Sequence, residues 1–320
     1  MFARRLAAIL GAFLVPLALA GEEQGSGERV VELPSEWSVG TSFKVTVEKR
    51  RLDYQGDEVV RDQRSTSKID VEVVAASDQG YRLRWTLGEV ELPATAGDEG
   101  AVPVEIARII EGAALDLRTD EFGTVSGLEN ETEVRRRMED LMEVVLAGSA
   151  LDEQAANQAS ATMKELLAGP GLAALVLKEP MLFTFPAGGT FVLAEEKTYQ
   201  DSLPFPFTGE SIPSEASFLL EEIDDKRDTA VVVWRQTLDP EKSAEVIQRF
   251  VSQTAEKTGG ELPAELADFE FDIRDEARFL YDLSTGIPRS VDWSRTLRIG
   301  STRRVDSLRF TTGAVSVPGD

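Results

Sequence analysis

Carboxylates dominate the side chains able to do chemistry in this sequence. Glu195-Glu196, Glu221-Glu222, Asp224-Asp225 and Asp275-Glu276 could each suggest the acid and base of a glycosidase. Neighbours on a strand point to opposite faces, however, so such pairs read as solvated faces on a chain with 57 acidic residues. Histidine and cysteine are both absent, which excludes a thiolate nucleophile, a Ser-His-Asp triad, a zinc finger, a disulfide framework and an ordinary transition-metal site. Ser65-Thr66-Ser67-Lys68 has the S-x-x-K spacing but lacks the S-D-N and K-T-G partners, and no G-x-S-x-G elbow occurs. Ala187-Gly188-Gly189-Thr190 has no Walker lysine and leads into a strand, so it reads as a tight turn. Asp116, Asp120 and Glu121 lack the ligand order of a calcium loop and read as a hairpin turn. The expectation is a protein that binds rather than catalyses, with no cofactor and no metal.

Two groups of residues suit binding. Arg289, Arg295, Arg298, Arg303, Arg304 and Arg309, set against Asp292 and Asp306, could cradle an anionic headgroup or a carboxylate. They could equally pair with acidic residues on neighbouring strands, the reading favoured here. Arg295 stands apart, because it shares the parity of Val291, Trp293, Leu297 and Ile299 and so points toward the apolar side, where it needs a partner. The second group is aromatic: Leu182-Phe183-Thr184-Phe185-Pro186 and Leu203-Pro204-Phe205-Pro206-Phe207 could line an apolar mouth, meet a partner, or plug the open end of a barrel. Candidate ligand-binding residues are Trp85, Phe183, Phe205, Trp293 and Arg295.

The elements that must position them follow from hydrophobic period. Alternation at Phe43, Val45 and Val47, at Ile69, Val71 and Val73, and at Tyr81, Leu83, Trp85 and Leu87 predicts a three-stranded meander. A short helix is expected near Glu105 to Ile110, then a hairpin from Leu115 to Leu128. Asn130 with Glu133 forms a capping-box pattern, and Val134, Met138, Leu141, Met142 and Val145 predict a helix from Glu131 to Leu146. A second helix runs from Ser149 to Gly169, and Gly171 to Leu177 adds a short apolar piece. Further strands are predicted at Met181 to Phe185, Thr190 to Gln200, Ser217 to Ile223 and Thr229 to Leu238. Asp239-Pro240 opens a helix to about residue 257, and strands at Phe269 to Tyr281, Val291 to Ile299 and Val305 to Thr312 finish the chain. The fold class is therefore α+β: a strongly curved antiparallel meander sheet, a half-barrel or partly closed barrel, covered by amphipathic helices.

Arg4 and Arg5 precede an apolar run from Leu6 to Ala20 that ends in Ala18-Leu19-Ala20, the pattern of a signal peptide cleaved after Ala20. Residues 21–35 read as a flexible leader and residues 36–320 as one composite β-rich domain, with a helical insertion at about 130–178 and a helix at about 240–257. A bacterial, periplasmic or secreted location follows, with no transmembrane segment in the mature chain. The formal net charge of −23 makes nucleic acid and anionic lipid surfaces poor partners.

With its leader, alternating strands, helical cover, Pro180, Phe183, Pro186, Gly188-Gly189 and the run Tyr281-Asp282-Leu283-Ser284-Thr285-Gly286, the chain resembles uncharacterised secreted bacterial domains built like the half-barrels of periplasmic lipoprotein carriers. That resemblance implies a curved sheet holding acyl chains under a helical lid. The functional expectation is a non-enzymatic periplasmic binding protein for a hydrophobic or lipid-like ligand, with a cavity of roughly several hundred Å³ beneath Val134 to Leu177. The alternative is a structural or protein-interaction module of the cell envelope, filled by its own side chains.

Overall fold

In the computed structural model the described residues are 28–91, 111–147, 152–168, 171–204, 211–239 and 271–318, with scattered helical positions between 242 and 252. The helix expected near Glu105 to Ile110, the Phe205 to Phe207 segment and most of the helix after Asp239 lie outside them.

Thirteen strands appear among the described residues: β1 (Val30–Glu32), β2 (Ser42–Gln55), β3 (Glu58–Ser77), β4 (Gly80–Glu91), β5 (Ala114–Thr119), β6 (Val125–Leu128), β7 (Thr190–Val192), β8 (Glu196–Pro204), β9 (Ser211–Asp224), β10 (Thr229–Leu238), β11 (Phe271–Asp282), β12 (Pro288–Ile299) and β13 (Thr302–Ser316). Eleven form one open antiparallel sheet in the order β6-β5-β4-β3-β2-β13-β12-β11-β10-β9-β8. Two meanders, β2 to β6 and β8 to β13, meet at the β2–β13 pair, where Val47 faces Phe310 and Arg51 faces Asp306. Because the side-chain period is two, one face collects Val45, Val47, Ile69, Val71, Leu83, Trp85, Val232, Phe279, Val291 and Phe310, all buried. We call it the covered face.

Four helices are labelled here: α1 (Glu131–Ala147), α2 (Glu153–Ala168), α3 (Gly171–Val176) and α4 (Lys178–Thr184). The expected start of α1 is correct, but Asn130 does not cap it with its side chain. Its amide accepts from Asp116 N (3.0 Å) and donates to Ala114 O (2.9 Å), tying the helix to β5. Asp152 caps α2 by accepting from Ala155 N at 2.8 Å.

Three expectations are corrected. The long helices were to cover the sheet, yet α1 and α2 pack chiefly on each other and on α3. Val134 and Leu167 near their base are buried, whereas Val144 and Val145 stay exposed. Only their bases join the core of the sheet, through Val134 and Leu167, and the ring contacts with its middle come from α4, read in the sequence as a strand at Met181 to Phe185. Its buried positions are Pro180, Phe183 and Thr184, a helical spacing, with Pro180 in the first turn where its missing N–H costs little. Phe183 and Phe185 in alternation mimic a strand, and tertiary packing overrides that pattern. Similarly, the expected strand at Thr190 to Gln200 divides into β7 and β8 at Ala194, which has φ 63°.

The leader boundary is also corrected, since order precedes Ser35. β1 pairs with β7, Leu33 N donates to Gly189 O (2.9 Å) and Gly40 N donates to Val73 O (2.8 Å). Between them Trp37 rests on Tyr81 (ring centroids 5.2 Å) and on Gly123 of the β5–β6 turn, and Pro34 on Gly286 of the β11–β12 turn. This strap joins hairpin ends from both meanders. A methyl at Gly286 (φ +65°) would lie 2.1 Å from Pro34 O, whereas one at Gly300 (φ +54°) would meet nothing. Gly300→Ala is expected to cost about 1 kcal/mol from backbone strain alone, and Gly286→Ala roughly 3 kcal/mol or more because strain and collision add. Urea unfolding of the two variants checks this, and equal losses would remove the strap from the account.

Candidate functional site

The pleat makes the covered face a stack of rows, each crossing the sheet through paired residues. One row runs Leu220, Val232, Phe279, Val291, Phe310, Val47, and the next runs Phe218, Trp234, Ala277, Trp293, Leu308, Lys49. One step further it becomes Gln236, Asp275, Arg295, Asp306, Arg51, Gln63. Charge therefore alternates over four consecutive strands, directly beside an aromatic and aliphatic surface.

Arg295 is where its parity placed it, and its partner is Asp275 on β11. Arg295 Nε and Nη2 donate to the two carboxylate oxygens at 2.7 and 2.5 Å, a bidentate fork. The Asp275 side chain is only 2% exposed, so it could not remain charged there unpaired. Burial tends to lower the Arg295 guanidinium, but the Asp275 bonds and the charges of Asp275 and Asp306 outweigh it and raise the group. Arg51 Nε donates to Asp306 at 2.7 Å, and Arg304 on the next covered row donates to Asp53 at 2.7 Å. At the other end Gln236 Nε2 donates to Ser214 Oγ (2.9 Å) and Asp201 Oδ2 (3.1 Å), and burial raises the Asp201 carboxyl against the opposing Ser202 N–H.

The start of α4 overhangs this belt. Glu179 accepts from Lys49 Nζ at 2.6 Å, and Lys178 Nζ stands 4.2 Å from the Trp293 ring centroid. Burial lowers the Lys178 ammonium, with neighbouring Arg295 acting in the same direction and Asp306, Asp275 and Glu179 opposing. Above the belt Phe183 sits among Trp85 (5.6 Å), Phe310 (5.8 Å) and Phe43 (6.1 Å), while Phe185 meets Trp234 (5.2 Å) and Phe218 (5.4 Å). Three buried donors, Trp37 Nε1, Trp85 Nε1 and Tyr281 Oη, have no hydrogen-bond partner among the described residues.

The structure thus brings Trp293 and Arg295 together at the belt and Trp85 and Phe183 together in the apolar region. Phe205 lies outside the described residues. The sequence reading missed Lys178 and Arg51, took Asp306 only as a counter-charge to the arginines, and read Asp275 as part of a solvated face, whereas it is buried on the covered face. For Asp275 and Arg51 the signal was present, because they share the parity of Ile273 and Phe279 and of Val45 and Val47. As favoured from the sequence, Arg289, Arg304 and Arg309 also pair with strand carboxylates: Asp282, Asp53 and Asp292. Asp120, considered for calcium, instead accepts from Phe122 N and Thr124 N within its turn. A depression of about 220 Å³ lies on the opposite face, lined by residues including Glu222, Asp224, Arg278 and Asp292. No described helix is long and apolar enough to cross a membrane.

Comparison with known proteins identifies no family. No family model matches the chain, and no curated protein does. A structure of lipovitellin, solved to describe its lipid–protein interactions, shows 9% identity and a TM-score of 0.44 over 89% of this chain; the chain spans only 26% of that one. An outer membrane channel from Pseudomonas putida F1 shows 6% identity and a TM-score of 0.15, covering 87% of this chain and 97% of the channel. At those scores neither likeness carries an argument about this protein.

The belt has two testable consequences. Arg295→Met strands a buried carboxylate and is expected to cost about 3–5 kcal/mol, with at least half recovered in the Arg295→Met/Asp275→Leu double variant. Urea denaturation measures the cycle, and an additive double variant would remove the pair from its structural role. Tyr199, which accepts from Trp234 Nε1 at 3.0 Å, is pushed up to about 12 by burial. Between its unfolded value near 10 and that folded value the folded state holds more protons, so stability falls as pH rises through about 10 to 12. Tyr199→Phe should flatten that alkaline slope in urea titrations at fixed pH values, at the cost of about 1–2 kcal/mol at pH 8 from the unpaired indole.

Proposed function

We propose that the protein is a non-enzymatic binding protein of the bacterial envelope, periplasmic or secreted, that holds a hydrophobic or lipid-like ligand on the covered face. The observation that carries this reading is the profile of that face, in which rows of Trp, Phe, Leu and Val give way in one residue step to a belt of charge. An amphiphile has the same profile. The cover suits the role, because α4 is a seven-residue helix whose Phe183 occupies an aromatic setting that an acyl chain could take over. Buried Trp85 Nε1 and Tyr281 Oη offer donors to acceptors on a ligand.

A curved sheet, or half-barrel, is part of the same proposal. Gly188 rests against Phe122 in the β5–β6 turn, and Ala194 N donates to Leu220 O of β9 at 2.9 Å. In a flat sheet the eight spacings from β5 to β9 would amount to about 38 Å, while six residues of chain reach about 21 Å at most. The shortfall supports a sheet bent around α4.

A second reading, a self-filled structural or interaction module, is favoured by the ring contacts of Phe183 with Phe43, Trp85 and Phe310, which complete a core without a ligand. Native mass spectrometry of protein purified gently from the periplasm of a Gram-negative host separates the two. The expected result is a reproducible adduct in the lipid mass range, released by organic extraction. A bare mass, together with no uptake of cis-parinaric acid by the extracted and refolded protein, would overturn ligand binding in favour of the module.

A further inference from the structure

Resting on the ligand-binding reading above, we infer that the ligand carries an anionic head, a carboxylate or phosphate on an apolar tail, and that Lys178 on the face of Trp293 receives it. The argument is one of charge pairing. Each carboxylate around Lys178 already serves another cation: both oxygens of Asp275 serve Arg295, Asp306 serves Arg51, and Glu179 serves Lys49. Lys178 itself makes no ion pair with a carboxylate among the described residues, and its contact is the Trp293 ring, 4.2 Å from Nζ. Arg295 lies on the same ring at 5.8 Å with both of its fork donors already engaged by Asp275. The surplus positive charge therefore falls on Lys178, whose side chain remains open to solvent while its neighbourhood is partly dry.

Its position relative to the apolar rows sets the shape of what it would hold. Trp293 and Leu308, both buried, form the row directly above the belt, and Phe310 and Phe183 follow. A head on Lys178 sends its tail toward these side chains, which Phe183 now covers, so one molecule satisfies the ammonium and takes the place of that ring against the aromatic rows. A neutral lipid would leave the ammonium unmatched, and a small anion would make no use of the adjoining rows. On a chain of net charge −23, an anion needs such a local excess of positive charge to bind at all.

Equilibrium binding of three probes to the delipidated full chain tests this: oleate, oleyl alcohol and butyrate, by tryptophan fluorescence and calorimetry at pH 7.5. Oleate is expected to bind about tenfold or more tighter than oleyl alcohol, the effect of one charge-assisted contact. Lys178→Gln should bring oleate down to the level of the alcohol while leaving the alcohol unchanged, and Lys178→Arg should keep most of the preference. Equal affinity of oleate and oleyl alcohol for the wild type, or an oleate preference untouched in Lys178→Gln, would overturn the headgroup site while leaving hydrophobic binding in place. Butyrate binding as tightly as oleate would overturn the amphiphile in favour of a free-anion site. Failure of both oleyl compounds to bind would refute the hydrophobic-ligand reading, and this inference with it.

Discussion

An open eleven-stranded sheet has one apolar face to keep from water and, among the described residues, little helix lying on it. That constraint organises the rest. The long helices α1 and α2 bury their apolar sides mainly against each other, so α4 and the Phe185 that follows it serve strands from β4 to β9. They manage it with rings. An aromatic side chain buries about 150–250 Å² and tolerates tilted or edge-on neighbours, so Phe183 and Phe185 cover much surface from few positions. Thr184 between them is buried as well, donating to Pro180 O and accepting from Val125 N, both at 3.1 Å, which ties α4 to β6 without leaving its hydroxyl unpaired.

Under the first residues of α4 the sheet changes its chemistry rather than exposing more hydrocarbon. Alternating Asp275, Arg295, Asp306 and Arg51 let the covered face continue with its polar groups satisfied. Such pairs add little net stability when compared with well-packed apolar residues. Their effect is on register: sliding β12 by one residue would turn Arg295 outward and leave Asp275 buried and alone, so mispaired sheets are penalised more heavily than the native one is stabilised.

Much of this was legible in the sequence, for reasons that also explain the remainder. Strands such as β10, predicted at Thr229 to Leu238 and found there, announce themselves because each residue's face is decided by its immediate neighbours in sequence. Arg295 was legible by the same rule, a cation on an apolar parity that required a buried partner. Its partner's identity was not, because pairing of β11 with β12 sets Asp275 opposite, and register is a property of two segments. α4 was misread because Phe183 and Phe185 alternate, and only contacts with strands far away in sequence make a helix of them. Lys178 was illegible for a related reason: nothing local distinguishes it from other surface lysines, and its interest comes from carboxylates claimed by others.

The pairing of β13 with β2 governs how the protein comes to exist at all. Residues such as Val47 and Phe310 must meet across most of the chain, and they sit in the middle of the sheet rather than at its rim. Each meander comes from one half of the chain, but the continuous sheet does not exist until the two are joined, and the apolar rows that α4 covers are drawn from both. Contacts of such long range are slow to form, because the entropy of closing the intervening loop is lost before any of them is made. The native state is therefore reached late, once the last strand is available, and the first meander spends that interval with its inner surface and one long edge unprotected, in the condition where chaperones find their clients.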